Sequence, residues 1–394
     1  MLSEIDLMEI LNDWSFWEKA PSTADVHRDV ELPKSLSADL VLIIQGVRRG
    51  GKSTLLQQIP AHYQFSLANC YYCNFEDPRL INCLNHELLG DIVRIARKDR
   101  PTNEPCYFFF DEIQHVFAWE KWLHMQLERP KHNYFVVTGS SSVLLSGEFD
   151  SALTGRHRTL QLYPFSFREY LKLFPERMLE SYLMSGGFPR TLTHGEPKLL
   201  LQEYFNDILL RDVLRRVGAR SVDPIKQVAK LAFDTCGSQL SYRKIAAITH
   251  LTVETVQNHL LACEQAYLLF NCSFFAFSEK KRLSRHKKFY PIDPGLRTAV
   301  TSNTSRDYGK ALEQLVFLKL KQQCDQVYYW ESPLGGEVDF VTVSGDTITP
   351  YQVTWQEAKP RHEKALGSFY ESFPQANEAI IIQQQNAADF LLGP

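Results

Sequence analysis

Apolar positions in the first 165 residues fall into short continuous runs separated by stretches of helical period. Asp39-Leu-Val-Leu-Ile-Ile-Gln45, Cys70-Tyr-Tyr-Cys-Asn-Phe-Glu-Asp77, Cys106-Tyr-Phe-Phe-Phe-Asp-Glu112, Asn133-Tyr-Phe-Val-Val-Thr138 and Arg158-Thr-Leu-Gln-Leu-Tyr163 are too short for helices and too uniformly apolar for strands with one wet face. They read as strands of a buried parallel sheet. Leu55–Ile59, up to Pro60, and Asn85–Arg97 keep a helical period between them, as strands joined by crossover helices require. Ahead of the first strand, Leu7, Ile10, Leu11, Trp14 and Trp17 lie near helical spacing and predict an amphipathic helix.

Beyond residue 165 the pattern changes. Residues 165–225 read mainly helical, with a helical stripe through Leu209, Leu210, Val213, Leu214 and Val217 that reads as core. Helices follow over Ile225–Cys236, Ser241–Ile248 and Thr252–Ala266, the last two starting at residues suited to N-capping. The short break between those two fits a helix-turn-helix, and Tyr267–Phe277 reads as a strand, so this stretch has the element order of a winged helix. The last part predicts a helix at Leu312–Lys321, strands at Val327–Trp330, Glu337–Val341 and Tyr351–Trp355, and a final strand at Ile380–Ile382. The expected division is 1–165, 166–225, 226–305 and 306–394.

Hydrophobic residues make up 44% and charged residues 23% of 394, ordinary for a globular chain. No apolar run approaches the roughly 18 residues of a membrane span, and Met-Leu-Ser-Glu-Ile-Asp-Leu-Met lacks the basic start and apolar core of a signal peptide. The expectation is a cytoplasmic protein without membrane contact. Eight cysteines without framework spacing fit reduced thiols, and Cys70 and Cys73, three apart on a strand, read as core. A net charge of −3 argues against a globally basic nucleic-acid binder, so any DNA contact falls to a local patch.

One stretch carries explicit chemistry. Gly46-Val-Arg48-Arg49-Gly50-Gly51-Lys52-Ser53-Thr54 has the spacing of a phosphate-cradling loop between a strand and a helix. Its glycines let backbone N–H groups converge on an anion at the helix N-terminus. Lys52 is placed for the β- and γ-phosphates and Ser53 for Mg²⁺. About 60 residues later the most aromatic strand ends in two carboxylates, Asp111 for the metal shell and Glu112 to polarise the attacking water. After the fourth strand, Ser140, with Ser141 second, is the polar tip expected near the γ-phosphate or the water.

The set GVRRGGKST, NFEDPRL, YFFFDEIQ, TGSSS, LTGRHRTLQLYPFSFREY and GGFPR resembles the prokaryotic AAA-superfamily ATPases that carry a C-terminal domain of unknown function. The resemblance runs from about residue 10 to residue 357. It implies ATP and Mg²⁺ as cofactors, strand order 5-1-4-3-2 and a helical lid over 166–225. It also implies an arginine finger or sensor at Arg156, with Arg158 and Arg190 as lesser candidates. A tryptophan of the first helix near the adenine is the functional alternative to simple packing.

Residues 308–357 resemble the PD-(D/E)XK nuclease core, in which carboxylates at a bend between strands hold a hard cation. Glu313 and Asp339 match it, and Gln352 offers a carbonyl ligand. Thr354 stands where a lysine is expected, and loss of such a group typically costs about 10²–10³ in rate, so an inactive nuclease fold is the expectation. Six of the nine residues 280–288 are Lys or Arg, either a wing gripping DNA phosphates or a solvated loop. The basic cluster Arg211, Arg215, Arg216 and Arg220 is read as a solvated face. The functional expectation is Mg²⁺-dependent ATP hydrolysis coupled to conformational change of the C-terminal domains, acting on DNA or a protein–DNA complex. The alternatives are a slow nucleotide-gated switch with a protein partner and an ATP-regulated endonuclease. A trans-acting arginine would require an oligomer.

Overall fold

The computed structural model describes residues 2–15, 26–98, 100–101, 103–128, 132–140, 153, 155–219, 221–301, 307–324, 326–333, 335–357 and 359–393. It divides into two compact units, Met1–Tyr163 and Pro164–Pro394.

In the first unit, α1 (Glu4–Trp14) begins at Ser3, whose hydroxyl accepts from the Asp6 amide in a capping box. β1 (Val41–Gly46), α2 (Lys52–His62), β2 (Cys70–Asn74), α3 (His86–Arg97), β3 (Cys106–Asp111), α4 (Trp119–Glu128), β4 (Asn133–Gly139) and β5 (His157–Leu162) follow. The strands form one sheet in the order β2-β3-β4-β1-β5, every pairing parallel. This is the order the family resemblance implies.

The alternation of a strand explains both layers. Val41, Ile43, Phe108, Phe110, Phe135 and Val137 join a core with Leu7, Ile10 and Leu11 of α1, Leu88, Leu89 and Ile92 of α3, and Trp122 and Leu123 of α4. The residues between them, Leu42, Ile44, Phe109 and Val136, pack with Leu55, Leu56 and Ile59 of α2. Both faces of the sheet are covered, and the continuous apolar runs follow from that. Each buried Phe contributes roughly 1.5–3 kcal/mol.

In the second unit, helices span Phe167–Leu173, Leu179–Ser185 and Pro197–Ile208. The stripe read as core begins in a π-helical stretch, Leu209–Val213. A widened turn shifts the register: Leu209 and Val213 are buried, whereas Leu210 faces solvent. Asp293 accepts hydrogen bonds from the Gly187 amide (2.6 Å) and the Leu296 amide (2.7 Å), tying the Gly186-Gly187 turn to the helix Pro294–Val300.

Helices Asp223–Asp234, Tyr242–Thr249 and Val253–Gln265 match the expected three. Ser241 and Thr252 cap the second and third, accepting from the Lys244 and Thr255 amides. β6 (Gln239–Leu240), β7 (Leu269–Phe274), β8 (Lys287–Pro291), β9 (Val327–Glu331), β10 (Glu337–Ser344), β11 (Thr347–Val353) and β12 (Ile380–Ile382) make one sheet in the order β12-β11-β10-β9-β7-β8-β6. β7 runs antiparallel to β8 and parallel to β9. That pairing carries one sheet through both stretches that the sequence assigns to separate domains, 226–305 and 306–394. The basic run is not a simple loop: Ser278 caps a short helix, Glu279–Leu283, and the run ends inside β8.

Candidate functional site

The phosphate loop leaves β1 at its C-terminal end. Gly46 lies against β5 so closely that a Cβ would come 2.1 Å from the Leu162 carbonyl oxygen. Gly51, the N-cap of α2, has φ 97°, a left-handed conformation that glycine takes without strain. The Lys52 ammonium folds back, donating to the carbonyls of Gly46 (3.1 Å) and Val47 (3.2 Å), and lies 3.7 Å from Glu112 Oε1.

Asp111 and Glu112 arrive from the tip of β3. Asp111 is fully buried. Burial and the neighbouring Glu112 push its carboxyl above the usual range, while hydrogen bonds from Ser53, Thr138 and Tyr72 pull the other way. The Tyr72 hydroxyl donates to Oδ2 at 2.6 Å, and the Thr138 hydroxyl donates to Oδ1. Thr138 Oγ1 in turn accepts from the Glu112 amide at 3.0 Å. Glu112 has φ 56°, so the chain turns sharply where the strand ends, and Gln114 donates to its Oε2. Lys52, Ser53, Asp111 and Glu112 therefore meet at one edge of the sheet. Ser140 is buried just past the β4 terminus, and Gly139 pairs with Gln45 beside the loop. Ser141 lies outside the described residues.

Other loop residues are tied to their surroundings. Arg48 pairs with Glu76 at 3.0 Å, and His115 Nε2 is 3.7 Å from the same oxygen. His115 beside it and the Arg48 guanidinium, against partial burial, hold the Glu76 carboxyl well below the usual range, at about 2. Arg49 has φ 67° and is exposed, while Gly50 is buried and Thr54 half-buried. Arg28, which the sequence pattern does not single out, donates to the carbonyls of Gly50 (2.9 Å) and Tyr163 (2.6 Å). Trp14 donates its indole N–H to Asp77 at 2.7 Å, which gives this tryptophan a structural task; Trp17 lies outside the described residues.

Arg156 lies apart from the loop. β1 and β5 run parallel, with Val41 opposite His157 and Gly46 opposite Leu162. Arg156 thus stands where the strands begin, roughly 20 Å along the sheet from the loop at their ends, and its Nη2 is 3.7 Å from Glu128. It does not meet Lys52 within one chain. Arg158 pairs opposite Leu42 near that same end, and Arg190, in the second unit, is exposed. Arg220 lies outside the described residues.

The second unit holds another cluster. Glu313, on the helix Tyr308–Gln323, accepts from the Tyr290 hydroxyl at 2.7 Å. Asp339 of β10 accepts from the Val353 amide at 2.7 Å and from the Gln352 side-chain amide. Gln352, expected to offer its carbonyl to a metal, therefore turns its N–H toward a carboxylate, and its Oε1 is buried without a partner. Burial and Glu313 push Asp339 well above the usual range. Lys288, counted with the DNA-gripping wing, is fully buried. Its ammonium bonds to Glu337 and lies 3.7 Å from Glu313. Burial opposes its charge, but Glu313, Glu337 and Asp339 outweigh it and hold its pKa above the ordinary value. Two more charges of the run are engaged: Arg282 donates to the Tyr328 hydroxyl, and Arg285 lies over the Phe274 ring. Lys280 and Lys281 are exposed.

A protein of Methanocaldococcus jannaschii, "Uncharacterized protein MJ1544", is 31% identical over 379 residues, covering 89% of this chain and 82% of its own length. The chain belongs to one family with it. A Haemophilus influenzae "Uncharacterized protein" is 29% identical over 346 residues, 82% of this chain and 85% of that protein. Residues 38–171 match the AAA domain family, and the parallel sheet with its order gives this part an AAA-type P-loop α/β fold. Residues 176–307 and 308–391 match two families described as domains of unknown function, DUF8612 and DUF4143. Among solved structures, C. elegans PCH-2 is 13% identical over 56% of this chain and 61% of that chain, with a TM-score of 0.22. Drosophila ORC bound to AT-rich DNA and Cdc6 is 9% identical over 66% and 84%, with a TM-score of 0.21. Among the described residues no helix is long and apolar enough to cross a membrane, and all eight cysteines are free.

Proposed function

We propose that the chain is a Mg²⁺-dependent ATPase whose turnover changes the conformation of residues 164–394. The observation that carries this is the meeting of Lys52, 3.7 Å from Glu112, with Ser53 hydrogen-bonded to Asp111 at the start of α2. The Ser53 hydroxyl and the Asp111 carboxylate are hard oxygen donors already in contact, a set suited to Mg²⁺. When bound, Mg²⁺ neutralises charge building on the phosphate oxygens. Lys52 exchanges two carbonyls and a carboxylate for the triphosphate, which frees Glu112. Glu112 then accepts a proton from water, and Thr138 fixes its backbone while holding Asp111 in place. Ser140 is the polar group next to that water. Arg156, remote within its own chain, acts in trans on a neighbouring copy.

Glu112→Gln keeps ATP binding and lowers turnover by about 10²–10⁴; turnover at the native rate would overturn the base assignment. Arg156→Ala is expected to lower turnover without changing ATP affinity, and nucleotide-dependent light scattering reads the assembly that a trans arginine requires. Stoichiometric tight nucleotide with negligible turnover would favour a switch instead, a reading to which the Lys52–Glu112 pair also lends support, since it holds the base engaged. DNA is a second-tier expectation. The three helices with the small antiparallel sheet, together with exposed Gln257, Asn258, Lys280 and Lys281, support a winged-helix surface, and salt-dependent DNA binding lost in Lys280→Glu/Lys281→Glu tests it.

A further inference from the structure

We infer that the Lys288 ammonium occupies the seat a divalent cation holds in a nuclease-like centre, so that the cluster around Asp339 is closed to metal. The inference does not rest on the ATP reading. Three features support it. The ammonium comes from β8, outside the strands of the nuclease-like pattern, and its side chain is fully buried. It meets Glu337 by a hydrogen bond and Glu313 at 3.7 Å, so the carboxylate that should bind a cation already faces one.

Two of the carboxylate oxygens are also committed. Glu313 Oε1 accepts from Tyr290, and Asp339 Oδ2 accepts from both Gln352 and Val353. Gln352 acts as a donor here, and turning its carbonyl inward would leave Asp339 short of one hydrogen bond. Among the described residues no three His, Cys, Asp or Glu side chains form a shell for a metal ion. A divalent ion in this pocket would have to displace an ammonium that has no solvent to move into, or remain beside it against like-charge repulsion. The exchange of the usual Glu-x-Lys for Gln352-Val353-Thr354 then has a physical reading. With a lysine of β8 balancing the cluster, neither a third carboxylate ligand nor a second lysine is required.

Mn²⁺ binding to nucleotide-free protein, followed by electron paramagnetic resonance, tests this. The native chain is expected to show no Mn²⁺ site that Asp339→Asn removes. Lys288→Met should gain one site, at least about tenfold tighter than native, and lose it again in Lys288→Met/Asp339→Asn. If Lys288→Met does not fold without metal, Mn²⁺ raising its thermal transition and leaving the native one unmoved is the same result. An Asp339-dependent Mn²⁺ site in the native chain overturns the inference. So does a Lys288→Met chain that neither binds Mn²⁺ nor is stabilised by it.

Discussion

Each unit of the molecule holds a buried lysine against carboxylates, and the two lysines are held differently. Lys52 meets one carboxylate at 3.7 Å and otherwise donates to two backbone carbonyls of its own loop. Lys288 is surrounded by Glu313, Glu337 and Asp339 and is fully buried. Neutral acceptors release a cation to a polyanion cheaply, whereas a desolvated ion pair does not, because either partner left alone bears the whole cost of burial. The first lysine is available to a ligand. The second is part of the fold.

The largest test of this contrast is stability. Lys288→Met strands buried carboxylates and is expected to lower unfolding free energy by about 3–5 kcal/mol, measured by denaturant titration. Lys52→Met relieves no comparable cluster and should cost less than about 1 kcal/mol. Equal losses would erase the distinction.

A buried carboxylate held by backbone amides sharpens it. Among the described residues the donors to Asp293 are backbone amides, and burial, opposed by those of Gly187, Leu296 and Gly295, pushes it up to about 6 from 3.8. An acid raised in the fold binds its proton more tightly there than in the unfolded chain. Its contribution to stability is therefore complete below about pH 3.8 and is lost as pH rises through about 6. Asp293→Asn should flatten that change, which is at most about 3 kcal/mol. Stability profiles of native and variant that stay parallel from pH 4 to 7 would contradict it.

A smaller effect is expected at Thr138, which balances Asp111 and Glu112 with a neutral hydroxyl. Thr138→Val leaves the Glu112 amide unsatisfied and should slow ATP turnover about tenfold, a change of roughly 1.4 kcal/mol, with ATP affinity kept. Steady-state kinetics beside a binding titration separates the two.

The phosphate-loop site was legible because its residues come in contiguous stretches. Gly46–Thr54 is a spacing, and Asp111-Glu112 ends an apolar run whose strand is buried on both faces. Chemistry that depends on strand neighbours left no local mark. Tyr72 and Thr138 flank Asp111 only because β2 and β4 border β3. Lys288 reads as one charge in a basic run, since the carboxylates that bury it lie 25 to 51 positions away. The β7–β9 pairing that joins two expected domains is equally invisible to hydrophobic period, which sets a strand's faces and not its partner. Arg156 could be matched to a motif from the sequence, but which end of the strand it occupies follows from the parallel register alone.

The most direct test of the central claim, that Lys52 leaves Glu112 and the loop carbonyls for a triphosphate, is calorimetric titration of Mg·ATP into native, Lys52→Ala and Glu112→Gln protein. Native and Glu112→Gln chains are expected to bind one ATP with similar affinity, and Lys52→Ala at least about 100-fold more weakly. Lys52→Ala binding ATP as tightly as native would contradict the account.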